Sequence, residues 1–310
     1  MLRKCGFQLD AERLSAVCDV LVSAFGTDPW PAPLKKITGD SGRLRDLIAA
    51  AAGATTDAEG EITKNGRMLG SLILGESAER VFESRYRSKL ATTEIQLVDQ
   101  RESRNDTDYR LVNGRGRPLY RLNIKFHGAL FRNAKDLVGL EPVDCFPLAT
   151  YKIKSALDKQ DQEHLPYIFV VATGSQISAE RIAMEIPSEF IAAATFGKAA
   201  ISSGKRRLEE QIASKFVSSQ PERFAAVENA IDQAQWYVFS ARRAEEIMKT
   251  RLFERVYALR MRSFNRAYRN AEIDMHLSFA ADMIPLERFL EMIAKEGHFK
   301  LAGMLERGTI

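Results

Sequence analysis

The segment Thr107–Gly128 (TDYRLVNGRGRPLYRLNIKFHG) constrains the fold of this chain more than any other stretch. Asn113-Gly114 and the following Gly116 are residue types that favour a tight turn, and runs suited to strands lie on both sides of them. The segment therefore predicts a β-hairpin.

The second strand of this hairpin is predicted to have one apolar and one polar face, because side chains alternate across a strand. The apolar face carries Tyr120, Leu122, Ile124 and Phe126, and the polar face carries Arg121, Asn123, Lys125 and His127. Asp108 begins the neighbouring strand and is placed to lie across from the polar face. Ordinary roles are open to these residues as well: Asp108 as a strand-end residue, and Lys125 as an edge-strand lysine that discourages aggregation.

The elements around the hairpin follow the order α-β-β-β-α-β. Helical periodicity, β-branched and apolar composition, and the length of each run distinguish the helices from the strands. The last strand is an uninterrupted apolar run, typical of a strand buried at the centre of a sheet. The predicted elements are a helix over 68–90, a strand over Thr93–Asp99, the two hairpin strands, a helix in the segment that follows Cys145, and a strand over Pro166–Thr173.

Both ends of the chain favour helices, so we predict three regions: a helical N-terminal region over 1–65, a core over 66–175, and a helical region over 176–310. The last of these contains a predicted helix over Ala241–Arg269 with nine Lys and Arg residues against three Glu. Such a stripe suits contacts with phosphate groups, although a solvated helix face explains it equally well.

Composition excludes several classes of function. Hydrophobic residues make up 45% of the 310 residues and charged residues 28%, which is ordinary for a globular protein, and the net charge of +4 is mild. Three scattered cysteines predict a reduced protein without disulfides or a zinc site. We find no signal peptide and no apolar run long enough to span a membrane, and we predict a cytoplasmic protein. The phosphate-loop, dinucleotide-binding and nucleophile-elbow motifs are absent from the sequence.

The polar face of the hairpin suits metal-assisted hydrolysis of a phosphodiester. Mg2+ prefers oxygen ligands, and the Asp108 carboxylate, the Asn123 side-chain oxygen and the Ile124 carbonyl provide them. Lys125 is placed to orient a water molecule and to stabilise charge that develops on the phosphate. His127 is a further candidate base, with a strand-end role as the plainer explanation.

The order α-β-β-β-α-β, with Asp108 at the head of the second strand and Asn123-Ile124-Lys125 on the third, resembles the PD-(D/E)xK nuclease superfamily. The preceding helix contributes the stretch GESAERVF, which is similar to that superfamily's Gly-x-x-x-Glu helix and presents Glu79. The resemblance covers Met68–Thr173, about a third of the chain. It implies an α/β fold with a restriction-endonuclease-like αβββαβ core and a mixed central sheet, flanked by the N- and C-terminal helical regions.

The sequence departs from the superfamily pattern at two positions. Thr107 precedes Asp108 where proline is usual, and Asn123 takes the place of the acidic residue. A neutral amide is a poorer Mg2+ ligand than a carboxylate. Glu79 is our first candidate for a compensating metal ligand. The further candidates are Glu94, Asp136 and Glu141.

The resemblance also implies DNA as the partner. The predicted DNA-binding residues fall into three groups. One group lies at the start of the second core helix and another lies in the basic helix. The third lies in the cluster SSGKRR, which suits phosphate binding at a helix start. The predicted DNA-binding residues are Lys152, Lys154, Lys205, Arg206, Arg251, Arg255, Arg262 and Arg266.

Together these features predict a Mg2+-dependent endodeoxyribonuclease with Asp108, Asn123, Lys125 and Glu79 in its active site. Cleavage of both strands needs two active sites, so we expect a homodimer. The leading biological role is a type II restriction endonuclease, with a protective methyltransferase as a separate protein. Two alternatives stay open: a structure-specific repair or recombination nuclease, and a catalytically inactive DNA-binding scaffold with the same fold.

Overall fold

The computed structural model describes residues 64–91, 93–102, 107–174, 177–186, 208–257, 274–296 and 298–310. The predicted N-terminal helices, the basic cluster around Lys205 and the distal part of the basic helix lie outside these residues. None of the described helices is long and apolar enough to cross a membrane.

The helices and strands are numbered in chain order. The helices are α1 (Lys64–Leu90), α2 (Ala134–Val138), α3 (Thr150–Glu163), α4 (Ala179–Glu185), α5 (Leu208–Ser219), α6 (Pro221–Asp232), α7 (Ala241–Thr250), α8 (Leu252–Arg255), α9 (Phe279–Asp282), α10 (Leu286–Glu296) and α11 (His298–Glu306). The strands are β1 (Gln96–Asp99), β2 (Tyr109–Val112), β3 (Pro118–His127), β4 (Phe146–Ala149), β5 (Tyr167–Thr173), β6 (Gln235–Ser240), β7 (Val256–Tyr257), β8 (Asp274–Leu277) and β9 (Ile284–Pro285). A short 3-10 helix covers Pro142–Asp144.

The described residues form two compact units. The first unit contains 64–80, 101–102, 177–186 and 208–230, and the second contains 81–91, 93–100, 107–174, 231–257, 274–296 and 298–310. The three-part division at residues 65 and 175 stays a prediction.

The second unit is built on a mixed sheet in the order β1-β2-β3-β5-β6-β9. β1, β2 and β3 are successive antiparallel neighbours, β5 lies parallel to β3, and β6 is antiparallel to β5. A parallel pair needs a long crossover connection, and the segment between β3 and β5, which includes α3, supplies it. The general prediction of an α/β fold with a mixed central sheet is confirmed.

The predicted hairpin is formed by β2 and β3. Its turn is closed by hydrogen bonds from Gly116 N to Asn113 O (2.8 Å) and from Asn113 N to Arg117 O (3.0 Å). Asn113 Oδ1 also accepts from the backbone N–H groups of Arg115 and Arg117, at 3.0 and 2.9 Å. Gly116 has φ +74°, a left-handed conformation that a side chain would strain. The predicted turn is confirmed.

Both faces of the sheet in the second unit are covered. On one face, Phe82 of α1 contacts Tyr109 and Trp236, with ring centroids 5.8 and 6.3 Å apart. Tyr120 meets Phe289 of α10 on the same face, at 6.5 Å. The opposite face buries an apolar cluster contributed by β5, β6, α3, α7, β4 and β8. Because β5 is buried along almost its whole length, the prediction of an apolar central strand is confirmed.

A smaller antiparallel sheet in the order β4-β8-β7 also belongs to the second unit. Phe146 and Leu148 of β4 and Met275 and Leu277 of β8 alternate into the apolar cluster. The alternation leaves Pro147 and His276, which are register partners, on the other face of this small sheet.

The first unit is helical in its described part. α1 and α4 approach closely at Gly70, where an added Cβ would lie 2.2 Å from the Ala179 carbonyl oxygen. Arg80 forms an ion pair with Glu228 of α6 at 3.0 Å, and Ser214 of α5 donates to Glu76 at 3.1 Å. Glycine at position 70 is therefore required by the closeness of the two helices.

The predicted helical character of 176–310 is wrong for part of this region. The run Gln235–Ser240 forms β6, because an apolar run of this length fits a buried strand as well as a helix, and periodicity alone does not distinguish them. The predicted helix Ala241–Arg269 is also wrong as one element, since α7 ends at Thr250, α8 follows, and Val256–Tyr257 pairs with β8. Its residues after Tyr257 lie outside the described chain.

Candidate functional site

The centre of the candidate site joins the start of β2 to the middle of β3. Asp108 Oδ2 accepts a hydrogen bond from the backbone N–H of Ile124 at 2.6 Å and another from Asn123 Nδ2 at 3.0 Å. β2 and β3 are antiparallel, with Tyr109 opposite Leu122, so Asp108 is brought opposite Asn123. The expectation that Asp108 lies across from the polar face of the hairpin is confirmed.

Lys125 completes this group. Its Nζ donates to the Ile124 carbonyl oxygen at 3.1 Å. An ammonium group has three N–H donors, and among the described residues one of them is engaged, which leaves two that can reach an anionic ligand or a water molecule. β3 lies between β2 and β5, and the edge-strand explanation of Lys125 is therefore wrong. We call Asp108, Asn123, Ile124 and Lys125 the hairpin cluster.

Arg121, two residues before Asn123 on the same face, has a structural partner. Its guanidinium binds both carboxylate oxygens of Glu163 at the end of α3, through Nε at 2.9 Å and through Nη2. Arg110 Nη2 lies 3.4 Å from the same carboxylate. Arg121 is only 2% exposed, so this pair fixes the end of α3 against the sheet.

His127, at the other end of the polar face, lies among aromatic rings. Its ring centroid is 5.5 Å from that of Phe146 and 5.8 Å from that of Phe279. Burial lowers the pKa of His127, and a hydrogen bond with the Cys145 backbone opposes this only in part, so the ring is neutral at pH 7. Its Nε2 is buried and has no hydrogen-bond partner among the described residues, so the role of this histidine stays open between the two explanations.

Glu79 belongs to the first unit, whereas the hairpin cluster belongs to the second. The Glu79 carboxylate lies 3.1 Å from Arg101 Nη1, and Glu76 lies 3.6 Å from the same nitrogen. Glu79 is thus engaged in an ion pair, and its role as a metal ligand stays a prediction.

The other candidate acids lie at different places in the second unit. Glu94 is next to Gly114, at the turn end of the hairpin, whereas Asp108 is at the opposite end of β2. Glu141 pairs with Lys135 at 2.8 Å, and Asp136 is exposed on α2. Of the four residues of the hairpin cluster, Asp108 alone carries a carboxylate.

The predicted DNA-binding residues have different environments. Lys152 and Lys154 are exposed near the start of α3, and Arg251 is exposed after α7. Arg255 is buried, with 8% of its surface exposed, which is not the expected environment of a residue that contacts a DNA backbone. The remaining predicted contacts, Lys205, Arg206, Arg262 and Arg266, lie outside the described residues.

The hairpin cluster fits a hard cation held by few protein ligands. The Asp108 carboxylate, the Asn123 amide oxygen and the Ile124 carbonyl are hard oxygen donors, and Mg2+ is commonly bound through one or two carboxylates while it keeps several waters. Within the described part of the chain, no group of three acidic, histidine or cysteine side chains is arranged to hold a metal ion. A cation at the hairpin cluster would therefore be bound weakly.

Comparison of this chain with known proteins found no relative. No protein-family profile, curated protein or solved structure matches this chain. The interpretation of the site therefore depends on the geometry of the residues themselves.

Sequence reasoning did not single out Glu163 as the partner of Arg121. The alternation of side chains along β3 places Arg121 on the polar face. No local sequence pattern shows which residue of the crossover helix α3 will lie next to it. The signal in the sequence is Arg121 itself, because an arginine in the middle of a predicted central strand needs a carboxylate partner when it is buried.

Proposed function

We propose that this protein is a Mg2+-dependent endodeoxyribonuclease with a restriction-endonuclease-like core. The observation that carries the proposal is the hairpin cluster, in which a carboxylate, an amide, a backbone carbonyl and an ammonium group are joined by hydrogen bonds of 2.6–3.1 Å. The order α1, β1, β2, β3, α3, β5 around the cluster supports the same proposal, although α2 and β4, which the sequence pattern did not predict, lie between β3 and α3.

In this proposal the oxygens of Asp108, Asn123 and Ile124 hold the metal. When bound, Mg2+ supplies polarisation of the scissile phosphate and a water molecule of lowered pKa. The backbone N–H of Ile124 fixes the orientation of the Asp108 carboxylate. Lys125, anchored on the Ile124 carbonyl, directs its remaining N–H donors to a phosphate oxygen or to water.

A type II restriction endonuclease that acts as a homodimer on double-stranded DNA is our leading form of this proposal. A structure-specific repair or recombination nuclease uses the same chemistry on branched or damaged DNA. DNA is the substrate in both, and a cognate methyltransferase, in the restriction case, is a separate protein.

A DNA-binding scaffold without catalytic activity is the second candidate. The hydrogen bond from Asn123 to Asp108 favours this candidate. An acidic residue at position 123 would place two negative charges side by side and would require a cation between them. The Asn123 amide instead donates a hydrogen bond to the Asp108 carboxylate, so no cation is required.

Incubation with unmodified plasmid and phage DNA, in Mg2+ and in EDTA, tests these proposals. We expect discrete Mg2+-dependent fragments, lost in Lys125→Ala and retained in Lys135→Ala, which removes an exposed lysine of α2. Cleavage confined to branched DNA would assign the repair role. DNA binding by the folded protein without cleavage would favour the scaffold, and absence of both cleavage and binding would overturn both proposals.

Asn123→Asp is expected to strengthen metal binding at the hairpin cluster. A second carboxylate should lower the half-saturating Mg2+ concentration by about tenfold. In EDTA the two adjacent negative charges should instead lower the unfolding temperature, since Asp108 also loses an N–H donor. Thermal unfolding in Mg2+ and in EDTA measures both effects without an activity assay.

Asn133→Asp is the matched control for this prediction, because it makes the same change of charge at an exposed position before α2. An equal response to Mg2+ in the two variants would show that the hairpin cluster does not bind the metal.

A further inference from the structure

The turn that joins β2 to β3 presents two arginines, Arg115 and Arg117, and both are exposed. The glycines beside them, Gly114 and Gly116, have no side chains, so the exposed side chains of the turn are those of the two arginines. We call residues 113–117 the hairpin tip. The hairpin tip is separate from the hairpin cluster, which lies further along the same two strands.

The backbone of the hairpin tip is held in one conformation by Asn113. Its side-chain oxygen accepts hydrogen bonds from the backbone N–H groups of Arg115 at 3.0 Å and Arg117 at 2.9 Å. Because both N–H groups bind the same oxygen, the backbone nitrogens of the two arginines are at most about 6 Å apart. The tip therefore presents two positive charges from one small, preorganised loop, and little backbone entropy is lost when it binds a partner.

Neither guanidinium of the hairpin tip forms an ion pair or a hydrogen bond within the described residues. Glu94 lies next to the tip, since a Cβ on Gly114 would be 3.5 Å from the Glu94 Cβ, yet no ion pair joins Glu94 to either arginine. Two like charges anchored close together repel each other, and a negatively charged partner removes that repulsion. The hairpin tip is therefore suited to bind a partner with closely spaced negative charges.

The distance between the hairpin tip and the hairpin cluster matches a short length of duplex DNA. Lys125 follows Arg117 by eight residues, which corresponds to about 26 Å along β3 and to the rise of about eight base pairs. A duplex that is bound at the hairpin cluster and lies along β3 therefore reaches the tip.

The size and chemistry of the hairpin tip favour the minor groove of DNA. This groove is about 6 Å wide and admits arginine side chains, whereas the major groove, about 12 Å wide, admits a whole helix or β-ribbon. The groove is narrowest and most negative in A·T-rich DNA. A guanidinium has only donors, which match the acceptors A N3 and T O2, whereas the amino group of guanine adds a competing donor.

We propose that Arg115 and Arg117 bind in the minor groove of A·T-rich DNA, where their guanidinium groups donate to A N3 and T O2. This inference rests on the proposed function, which places a DNA duplex at the hairpin cluster. It adds to that function a preference for A·T base pairs about eight base pairs from the phosphate held at the hairpin cluster.

Fluorescence anisotropy of the full chain with alternating dA-dT, dI-dC and dG-dC duplexes of equal length, in EDTA so that no DNA is cut, tests this site. Inosine lacks the amino group of guanine, so an I·C pair resembles A·T in the minor groove and G·C in the major groove. We expect the dA-dT and dI-dC duplexes to bind about tenfold more tightly than the dG-dC duplex. The double variant Arg115→Gln/Arg117→Gln should bind all three alike. The control Arg181→Gln/Arg288→Gln changes exposed arginines of α4 and α10 and should keep the preference.

Three results would overturn the minor-groove site while leaving DNA binding intact. Binding of dI-dC like dG-dC would assign the contacts to the major groove, and equal affinity of the wild type for the three duplexes would restrict them to phosphate groups. An unchanged preference in the double variant Arg115→Gln/Arg117→Gln would remove the hairpin tip from the interface. A folded wild-type protein that binds none of the duplexes would instead overturn the proposed function together with this inference.

Discussion

Replacing Asp108 by asparagine is expected to lower the rate of DNA cleavage about a thousandfold. Asp108 supplies the only carboxylate of the hairpin cluster among the described residues, and its Oδ2 is fixed by two N–H donors. Charge stabilisation through a bound metal contributes several kcal/mol in such reactions, and a loss of about 4 kcal/mol corresponds to roughly 10³ in rate. Single-turnover cleavage of a plasmid in saturating Mg2+ measures the effect.

The fold should tolerate this substitution. Asparagine has the same shape, and its side-chain oxygen can accept the two hydrogen bonds that Asp108 Oδ2 accepts. Asp158→Asn, at an exposed position of α3, is the matched control and should cleave at the wild-type rate. Wild-type activity in a folded Asp108→Asn protein would remove the hairpin cluster from the mechanism.

Glu163→Gln is expected to destabilise the protein by about 3 kcal/mol. The substitution removes the Glu163 carboxylate from the buried guanidinium of Arg121, and breaking a buried ion pair from one side typically costs 3–5 kcal/mol. We place the effect at the lower end, because the Glu163 side chain is 38% exposed and water screens part of the interaction. Urea unfolding at pH 7 measures the change in the free energy of unfolding.

Glu291→Gln is the control for this prediction. Its partner is Lys295 on α10, at 3.6 Å, and both side chains are largely exposed, so we expect a change below about 0.5 kcal/mol. Equal effects of the two substitutions would show that Arg121 is not held by Glu163. An Arg121→Met variant that restores stability in the Glu163→Gln background would confirm that the loss comes from the broken Arg121–Glu163 ion pair.

The hairpin and the approach of Asp108 to its polar face were predictable because they depend on local rules. Asn113-Gly114 and Gly116 specify the turn, and the alternation along β3 decides which side chains share a face with Lys125. Antiparallel pairing after a short turn then brings Asp108 near this face. The register shifts at a bulge between Leu111 and Val112, and this shift, which the sequence pattern did not indicate, places Asp108 opposite Asn123 instead of Leu122.

The remaining features depend on contacts between distant parts of the chain. β6 was missed because its apolar run is as compatible with a helix as with a strand, and only its pairing with β5 decides between them. Arg255 was predicted at a DNA-binding surface because a charged residue in a basic stretch is usually solvated. The sequence does not show that β7, which begins at the next residue, pairs with β8.

The position of β5 between β3 and β6 has a consequence during synthesis of the chain. β6 begins about 60 residues after β5 ends, so a ribosome that adds 5–20 residues per second needs roughly 3–12 s to deliver the second neighbour of β5. Until then the most apolar strand of the sheet can pair only with β3, and its other edge is open to a neighbouring nascent chain. Correct assembly of this sheet therefore requires β6 to be synthesised before β5 pairs with another chain, and slower translation should favour aggregation.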